Sequence, residues 1–222
     1  MKAEDVRKIA IIGACGMGQG IAACCLLGGY SVVLYDVDQK IIDRGMDGIK
    51  GCFDTFKVNG KMTLQAYDST LARLIPIVDL KAAAKDADFI IETVPEKMEI
   101  KKSVLTDLNK YAPQHAILAS NTSNMSITEI AKNTSRPDKV IGYHFFNPAI
   151  SMKLIEVIKG DKSSDESIQV SYDIAKKIKK IPVIVKRIPP ALSTIVSISP
   201  IVCSFQRFWK TVIRRRKNSM LL

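Results

Sequence analysis

Short apolar runs alternate with longer mixed stretches along most of the chain. The first run, within KIAIIGA, consists mainly of branched apolar side chains and ends at Gly13, which is typical of a parallel strand buried on both faces. Because helical stretches separate most of these runs, the pattern predicts an α/β fold with a doubly wound, mostly parallel sheet. The predicted strands are residues 8–14, 31–36, 87–94, 116–120, 139–145, 153–159 and 182–186.

Helix signals fill the stretches between the strands. The first helix is expected to run through Gly18 to the paired glycines Gly28 and Gly29, which suit a C-terminal cap. Another helix begins near Gln39, and residues 46–75 are typical of two polar helices broken at Val58–Gly60, a hairpin that would project from the sheet. Further helices are predicted at 96–111, 126–133 and 164–180.

The loop GACGMG, residues 13–18, joins the first strand to the first helix. A dinucleotide needs a tight glycine turn, close approach of its pyrophosphate to bare backbone, and a helix N-terminus that holds the negative charge. An acidic residue, Asp36, ends the next strand, so the whole pattern predicts a Rossmann-type site lined by Gly13, Gly16, Met17 and Gly18. The Asp36 carboxylate would accept the ribose hydroxyls and repel a 2′-phosphate, which favours NAD over NADP.

Two observations keep alternatives open at this loop. Glycine-rich turns also occur for packing reasons, and a strand-end aspartate such as Asp36 can instead cap the next helix. The usual pattern has its second glycine where this chain has Cys15, with Gly16 one place later. A side chain there can crowd the phosphates, while Gly16 gives the turn backbone freedom, so the departure concerns affinity rather than the fold.

Polar segments end three of the later strands, at 119–127, 142–148 and 153–160. In an open α/β sheet the ligand crevice lies beyond the carboxyl ends of the strands, so these groups are expected to converge. His144 is flanked by two phenylalanines, a setting that suits a general base, and Glu156 is placed to hold its imidazole in one tautomer. Such a pair can take a hydroxyl proton while a hydride leaves the same carbon for nicotinamide.

Other polar residues near these strands have weaker interpretations. Ser123 and Asn147 would bind the substrate oxygen, whereas Ser120 and Asn121 are equally well explained as caps of the following helix. His115, in a polar loop, is interpreted as structural. The five cysteines show no metal-site or disulfide spacing, so we expect no metal.

Composition indicates a soluble globular protein, with 47% apolar and 25% charged residues. No apolar run approaches the ~20 residues of a membrane span, and the N-terminus lacks a secretory pattern, so a cytoplasmic location is expected. The net charge of +11 lies mostly in residues 187–222, which hold seven basic residues and no acidic one, including RRRK at 214–217. Residues 1–186 carry 26 bases against 22 acids, so we expect neither nucleic acid nor a membrane as a partner.

The chain resembles the N-terminal domain of the 3-hydroxyacyl-CoA dehydrogenase family, and is most similar to the short bacterial 3-hydroxybutyryl-CoA dehydrogenases. The resemblance runs from Arg7 to about Lys186 and is carried by IIGACGMGQGIA, VVLYDVD, IIETVPEKMEIKK, ILASNTSNMSITEIA, RPDKVIGYHFFNPA and MKLIEVIKG. It implies NAD as cofactor and an acyl-CoA substrate that is interconverted between its 3-hydroxy and 3-oxo forms.

The resemblance also implies roles for individual residues. His144 and Glu156 would be the catalytic pair, and Ser123 and Asn147 would contact both substrate and nicotinamide. Glu96 and Lys101 would lie along the cofactor. The helical hairpin would face coenzyme A, with Lys57 and Lys61 as candidate phosphate contacts, although these lysines fit a solvated surface equally well.

The similarity breaks after Lys186. Members of the family continue with a Pro-Gly-Phe…Asn-Arg segment and a helical second domain, which dimerises and supplies an asparagine to the active site. One permitted codon set for Arg187 onward, read two bases later, restores Asp-Ser-Pro-Gly-Phe-Ile-Asp-Asn-Arg. We therefore interpret residues 1–186 as the NAD-binding domain and 187–222 as an aberrant, disordered tail that is out of frame, with the second domain missing; resequencing the gene tests this.

Three functions remain possible on sequence. The chain is a 3-hydroxyacyl-CoA dehydrogenase, a catalytically impaired NAD-binding remnant of one, or a related dehydrogenase of free hydroxy acids or sugar acids. The last would keep the cofactor loop but would need no hairpin for coenzyme A.

Overall fold

The computed structural model describes residues 1–186, and the predictions made for residues 187–222 lie outside this part of the chain. Its centre is one eight-stranded sheet with the order β3-β2-β1-β4-β5-β6-β7-β8. The strands are β1 (Lys8–Ile12), β2 (Ser31–Tyr35), β3 (Leu74–Ile77), β4 (Phe89–Glu92), β5 (Ile117–Ser120), β6 (Val140–Phe145), β7 (Leu154–Ile158) and β8 (Ile181–Val185).

Seven α-helices accompany these strands within residues 1–186. They are α1 (Gly16–Leu27), α2 (Gln39–Val58), α3 (Leu64–Leu71), α4 (Leu80–Ala84), α5 (Met98–Tyr111), α6 (Ile127–Ala131) and α7 (Asp165–Lys177). None of the described helices is long and apolar enough to cross a membrane. Within the same residues, no group of three or more histidine, cysteine or acidic side chains is placed to hold a metal ion.

The sheet confirms the predicted doubly wound, mostly parallel α/β fold. Strands β1 to β6 are all parallel to one another, β7 pairs antiparallel with β6, and β8 is parallel to β7. The chain builds outward from β1 through β2 to β3, and then returns to build outward on the other side from β4. The order therefore reverses between β1 and β4, where crevices form in such sheets.

Apolar side chains fill both faces of the sheet, which explains why the central strands are continuous apolar runs. One core lies against α1, α2 and α7 and includes Ile11 and Tyr143, while the other lies against α5 and α6 and includes Ile12 and Leu118. Neighbouring residues such as Ile11 and Ile12 face opposite sides, as the two-residue period of a strand requires.

Two elements were not predicted. Strand β3 lies at the edge of the sheet, contains Pro76, and buries only Leu74, so its sequence lacks the apolar run of a central strand. Helix α4 has only five residues and begins at a cap where the Asp79 carboxylate accepts the N–H of Ala82. Both follow the predicted hairpin of α2 and α3, whose exposed turn contains Val58.

A lysine occupies the left-handed position at the end of α7. The N–H of Lys179 donates to the carbonyl of Lys176, and the N–H of Lys180 donates to that of Ala175, the paired bonds of a Schellman motif. Lys179 has φ of 61°, where a side chain costs about 1 kcal/mol and glycine is usual.

Lys179→Gly is therefore expected to raise the free energy of unfolding by about 1 kcal/mol. Lys176→Gly, inside the same helix, should instead lower it by about 1 kcal/mol. Urea unfolding of both variants tests this, and a destabilised Lys179→Gly protein would contradict the role assigned to the turn.

Asp88 joins the amino-terminal ends of β1 and β4. Its carboxylate accepts the N–H groups of Arg7 and Lys8 at 2.8 and 3.0 Å and contacts the His115 ring at 3.0 Å. Burial by itself would raise the pKa of Asp88, but the N–H groups of Lys8 and Arg7 and the ring of His115 hold it below its ordinary value. A carboxylate with a lowered native pKa stabilises the fold above the unfolded-state pKa, and this contribution is lost as the pH falls.

Asp88→Asn is expected to lower the free energy of unfolding at neutral pH by about 1–3 kcal/mol, because a charged acceptor is lost. The penalty should shrink on acidification below about pH 4, where the unfolded-state aspartate of the parent protein also binds a proton. Unfolding curves measured at a series of pH values test this; an equal penalty at every pH would contradict it.

Candidate active site

The carboxyl ends of β1, β2, β4, β5 and β6 lie on one edge of the sheet. Because β7 and β8 run in the opposite direction, their first residues reach the same edge. Most of the residues singled out on sequence follow or begin these strands, so the fold brings their backbones to one side of the molecule. Lys57 and Lys61 belong instead to the helical hairpin.

Gly13, in the turn after β1, packs against Gly18 in the first turn of α1. Gly13 has φ of 112°, in the region that favours glycine, and a Cβ added to Gly18 would lie 1.8 Å from the Gly13 carbonyl oxygen. The first bond of the helix runs from the Gln19 N–H to the Cys15 carbonyl. The N–H groups of Gly16, Met17 and Gly18 therefore precede the helical ladder and are available to a negatively charged group.

Asp36 is connected to this turn. One carboxylate oxygen accepts the N–H of Ala14 at 2.8 Å, and the other accepts the N–H of Val37 at 2.8 Å. The cap of α2 is a different residue, Asp38, whose side chain accepts the N–H of Lys40. The structure thus excludes the alternative that Asp36 caps the next helix, and places its carboxylate directly beside the glycine turn.

Two neighbours shape the turn from outside. Cys15 is the N-cap residue of α1 and is exposed, and its side chain makes no cap hydrogen bond. Gly45 of α2 was not identified on sequence, yet a Cβ added there would lie 2.7 Å from the Ala14 carbonyl oxygen. Only a glycine at this position lets α2 pack so closely on the Ala14 carbonyl. In the sequence, the one sign of this is that Gly45 lies in the next helix after the loop.

His144 and Glu156 are directly opposite each other on the antiparallel strands β6 and β7. The His144 Nδ1 lies 2.8 Å from Glu156 Oε2, and both residues are more than nine-tenths buried. The Phe146 ring lies 4.7 Å from the imidazole, measured between ring centroids. If Nδ1 donates to the carboxylate, Nε2 is left as a proton acceptor, which is the arrangement a general base requires.

A further contact fixes the end of β6. The side-chain oxygen of Asn121 accepts the N–H of Phe145 at 2.8 Å, which links the end of β5 to the residue after His144. The cap of α6 is Ser126, so neither Asn121 nor Ser120 caps that helix. Ser123 and Asn147 are exposed residues in the loops that follow β5 and β6.

Lys101 is fully buried and has three acceptors. Its Nζ lies 2.8 Å from Glu92 Oε1, 3.2 Å from the Val94 carbonyl and 3.3 Å from Glu96 Oε2. The other oxygen of Glu92 accepts the Ser120 hydroxyl at 2.6 Å. An ammonium group has three protons, so Lys101 is saturated by the protein itself. Glu92, which sequence reasoning missed, joins the ends of β4 and β5.

Glu96 lies at the exposed side of this network. Its Oε1 accepts the Thr122 hydroxyl and the N–H of Ser123. Burial alone would raise the pKa of Glu96, but the Thr122 hydroxyl, the Lys101 ammonium and the Ser123 N–H hold it below its ordinary value. Glu96 is therefore a carboxylate at neutral pH that orders the loop carrying Ser123.

Residues 8–188 match the family model described as "3-hydroxyacyl-CoA dehydrogenase, NAD binding domain". The chain belongs to this family. The match confirms the expected NAD-binding domain and the family resemblance, and NAD is the cofactor of the family.

The chain is also similar to curated proteins that are much longer than it is. A glyoxysomal fatty acid beta-oxidation multifunctional protein of Brassica napus is 38% identical over 82% of this chain and 25% of its own length. The 3-hydroxyadipyl-CoA dehydrogenase of Escherichia coli is 38% identical over 81% of this chain and 38% of its own length. The chain thus spans well under half the length of these curated relatives.

Solved structures of 3-hydroxybutyryl-CoA dehydrogenases share the fold. The enzyme from Escherichia coli superposes with a TM-score of 0.79 at 38% identity, covering 81% of this chain and 38% of the other. The enzyme from Ralstonia eutropha gives 0.82 at 33% identity, covering 86% and 68%.

Lys57 and Lys61, the candidate phosphate contacts on the helical hairpin, differ in their surroundings. Lys57 Nζ lies 3.1 Å from Asp54 Oδ1 and 4.4 Å from the centroid of the Tyr67 ring, so it already has partners. Lys61 is exposed, and its N–H closes the end of α2 on the Phe56 carbonyl. Of the two, Lys61 is the more available to a phosphate group.

Proposed function

We propose that this chain carries the NAD site and the catalytic base of an enzyme that interconverts 3-hydroxyacyl-CoA and 3-oxoacyl-CoA, with 3-hydroxybutyryl-CoA as the expected substrate. The buried His144–Glu156 pair is the observation that carries the proposal. It stands at the same edge of the sheet as the glycine turn, within a chain of the family whose model matches.

The residues at the glycine turn fit NAD. The glycines leave the backbone of the turn uncovered for the pyrophosphate, and nothing lies within 4 Å of a Cβ added at Gly16. The N-terminus of α1 supplies N–H groups for the phosphates, and the Asp36 carboxylate supplies acceptors for the ribose hydroxyls. When bound, NAD accepts the hydride that the alcohol carbon loses on oxidation.

The protein's own groups handle the proton. His144 Nε2 takes the proton of the substrate 3-hydroxyl, and Glu156 stabilises the imidazolium that forms while holding the ring in position. Ser123 and Asn147 orient the substrate oxygen. Glu96 and Lys101 order the loop beside the cofactor. Lys61 contacts a phosphate of coenzyme A, with Lys57 as a second candidate for this contact. The Phe146 ring shields the imidazole from water on one side.

Asp36 provides a test of the cofactor assignment on this chain. Asp36→Asn keeps an acceptor for the Ala14 N–H but loses the charge, so NADH affinity is expected to fall by about tenfold and discrimination against NADPH to relax. Asp36→Ala also releases the turn and should bind NADH more weakly still. Fluorescence titration with both cofactors measures this; unchanged discrimination in Asp36→Asn would contradict the assignment.

The activity is tested by NADH oxidation with acetoacetyl-CoA. The assay compares this chain with a version in which the proposed reading frame after Lys186 is restored, because the family resemblance implies a second domain that supplies an asparagine to the active site. Turnover only after restoration identifies this chain as an impaired remnant of an active enzyme. Turnover with a free 3-oxo acid but not with the coenzyme A ester would favour the alternative dehydrogenase. NADH binding without turnover of either substrate in either protein would overturn the proposal.

A further inference from the structure

Lys180 is a buried lysine that the mechanism above does not use. The residue is 7% exposed, and its Nζ lies 2.8 Å from the Met152 carbonyl oxygen and 3.5 Å from that of Ile150. It also donates to the Ala149 carbonyl at 2.5 Å. Within residues 1–186 it forms no ion pair with a carboxylate.

Burying an ammonium group is costly unless other groups replace its hydration. Here the replacements are three backbone carbonyls, all from residues 149–152, which we call the hairpin connection because it joins β6 to β7. The group therefore orders one short piece of chain instead of pairing with a charge elsewhere. That makes a local positioning role the natural explanation for keeping a lysine there.

The backbone around Lys180 is itself fixed. The Schellman motif at the end of α7 holds its N–H on the Ala175 carbonyl at 2.9 Å. The next residue, Ile181, begins β8 and donates its N–H to the Lys153 carbonyl at 2.7 Å. Lys180 is thus anchored on both sides, at the edge of the sheet where the candidate site lies, and the hairpin connection is anchored to it.

The hairpin connection lies between the catalytic strands and the cofactor helix. Asn147 precedes it, and β6 and β7 on either side carry His144 and Glu156. Ala149 packs on α1, since a Cβ added at Gly20 would lie 3.1 Å from the Ala149 Cβ. The Cys24 thiol of the same helix also donates to the Ala149 carbonyl, at 3.5 Å.

We propose that Lys180 is a positioning residue, which gathers the carbonyls of the hairpin connection and so fixes Asn147 and the β6–β7 pair against α1. The distance between the imidazole and a cofactor at the N-terminus of α1 then depends on a lysine that touches neither. The part of this inference that concerns turnover rests on the proposed function.

The test compares Lys180→Met, which keeps an unbranched side chain only one atom shorter but has no donors, with Lys180→Arg, which keeps the charge. Lys176→Met, an exposed lysine near the end of α7, is the matched control for the loss of charge. Amide hydrogen exchange over residues 146–153 reports on the connection without any turnover. NADH titration and steady-state kinetics with acetoacetyl-CoA, on whichever protein turns over, report on its consequence.

In Lys180→Met, exchange over 146–153 is expected to speed up at least about tenfold while exchange in β1 and β4 stays near the parent value. Because a misplacement of about 1 Å can cost about 10²-fold, kcat should fall by about 10- to 100-fold, with the Kd for NADH changed less than about threefold. Lys180→Arg should recover part of both effects, and Lys176→Met should show neither.

Unchanged exchange over 146–153 would overturn the proposal, and so would equal acceleration throughout the sheet, because that indicates general stability only. A loosened connection with parental kcat would overturn the link to catalysis. If Lys180→Met does not fold, Lys180→Gln, which loses the charge and ends one atom earlier than lysine, takes its place in the comparison. If the parent protein shows no turnover, the proposed function fails, while the exchange result still decides whether Lys180 orders the connection.

Discussion

Replacing His144 by glutamine is expected to lower kcat for reduction of acetoacetyl-CoA by about 10³-fold, the usual contribution of a positioned general acid or base. The glutamine amide can still donate to Glu156, from one bond further out than Nδ1, so the buried carboxylate keeps a partner and the fold should persist. The Kd for NADH should change by less than about threefold, because the imidazole is not part of the glycine turn. Stopped-flow single turnovers separate this chemical step from product release.

The other histidine of the chain provides the control. His115 is exposed and contacts Asp88 at the opposite edge of the sheet. His115→Gln makes the same replacement of an imidazole by an amide outside the candidate site. It should therefore leave kcat within about twofold of the parent. A loss of less than about tenfold in His144→Gln would remove His144 from the role of catalytic base.

The second large effect is expected for Glu156→Gln, which should lower kcat by about 10²-fold. The amide oxygen can still accept from Nδ1, so the ring keeps its orientation, but the negative charge that stabilises the imidazolium is lost. Glu99→Gln, at an exposed position in the first turn of α5, serves as the control for removing a carboxylate.

The double variant gives the sharper result. Residues that act as one unit show strongly non-additive effects, so His144→Gln with Glu156→Gln should be little slower than His144→Gln alone. If the two losses multiply, the carboxylate and the imidazole act independently, and the buried pair is a structural contact. Both single variants and the double variant require the same check of fold by circular dichroism.

Features carried by short stretches of sequence were accessible without a structure. Residues 8–36 contain the strand β1, the turn from Gly13 to Gly18 and the acid Asp36. Each of these can be predicted from a few neighbouring residues, by the sequence patterns of buried strands and glycine-rich turns. The family resemblance added the expected roles of distant residues. The edge strand β3 was not predicted, because it contains Pro76 and only one buried side chain and so has no recognisable strand pattern in its sequence.

Buried lysines were the least accessible feature. Lysine is almost always exposed, and nothing in the letters around Lys101 or Lys180 marks them as buried. Their burial depends on acceptors that come from elsewhere in the fold: Glu92 at the end of β4 in one case, and the carbonyls of the hairpin connection in the other. The role of Gly45 was not identified on sequence for the same reason, because only packing against the Ala14 carbonyl requires a glycine there.

The sequence alone determined the kind of sheet, the position of the glycine turn and the family of the chain, because periodicity and motif are local properties. Only the tertiary structure decided that His144 and Glu156 meet, since that contact depends on the antiparallel register of β6 and β7. It also decided that Asp36 holds the turn and that Lys180 holds the hairpin connection. Contacts of this kind join residues far apart in the chain, and their partners are set by how the strands and helices pack.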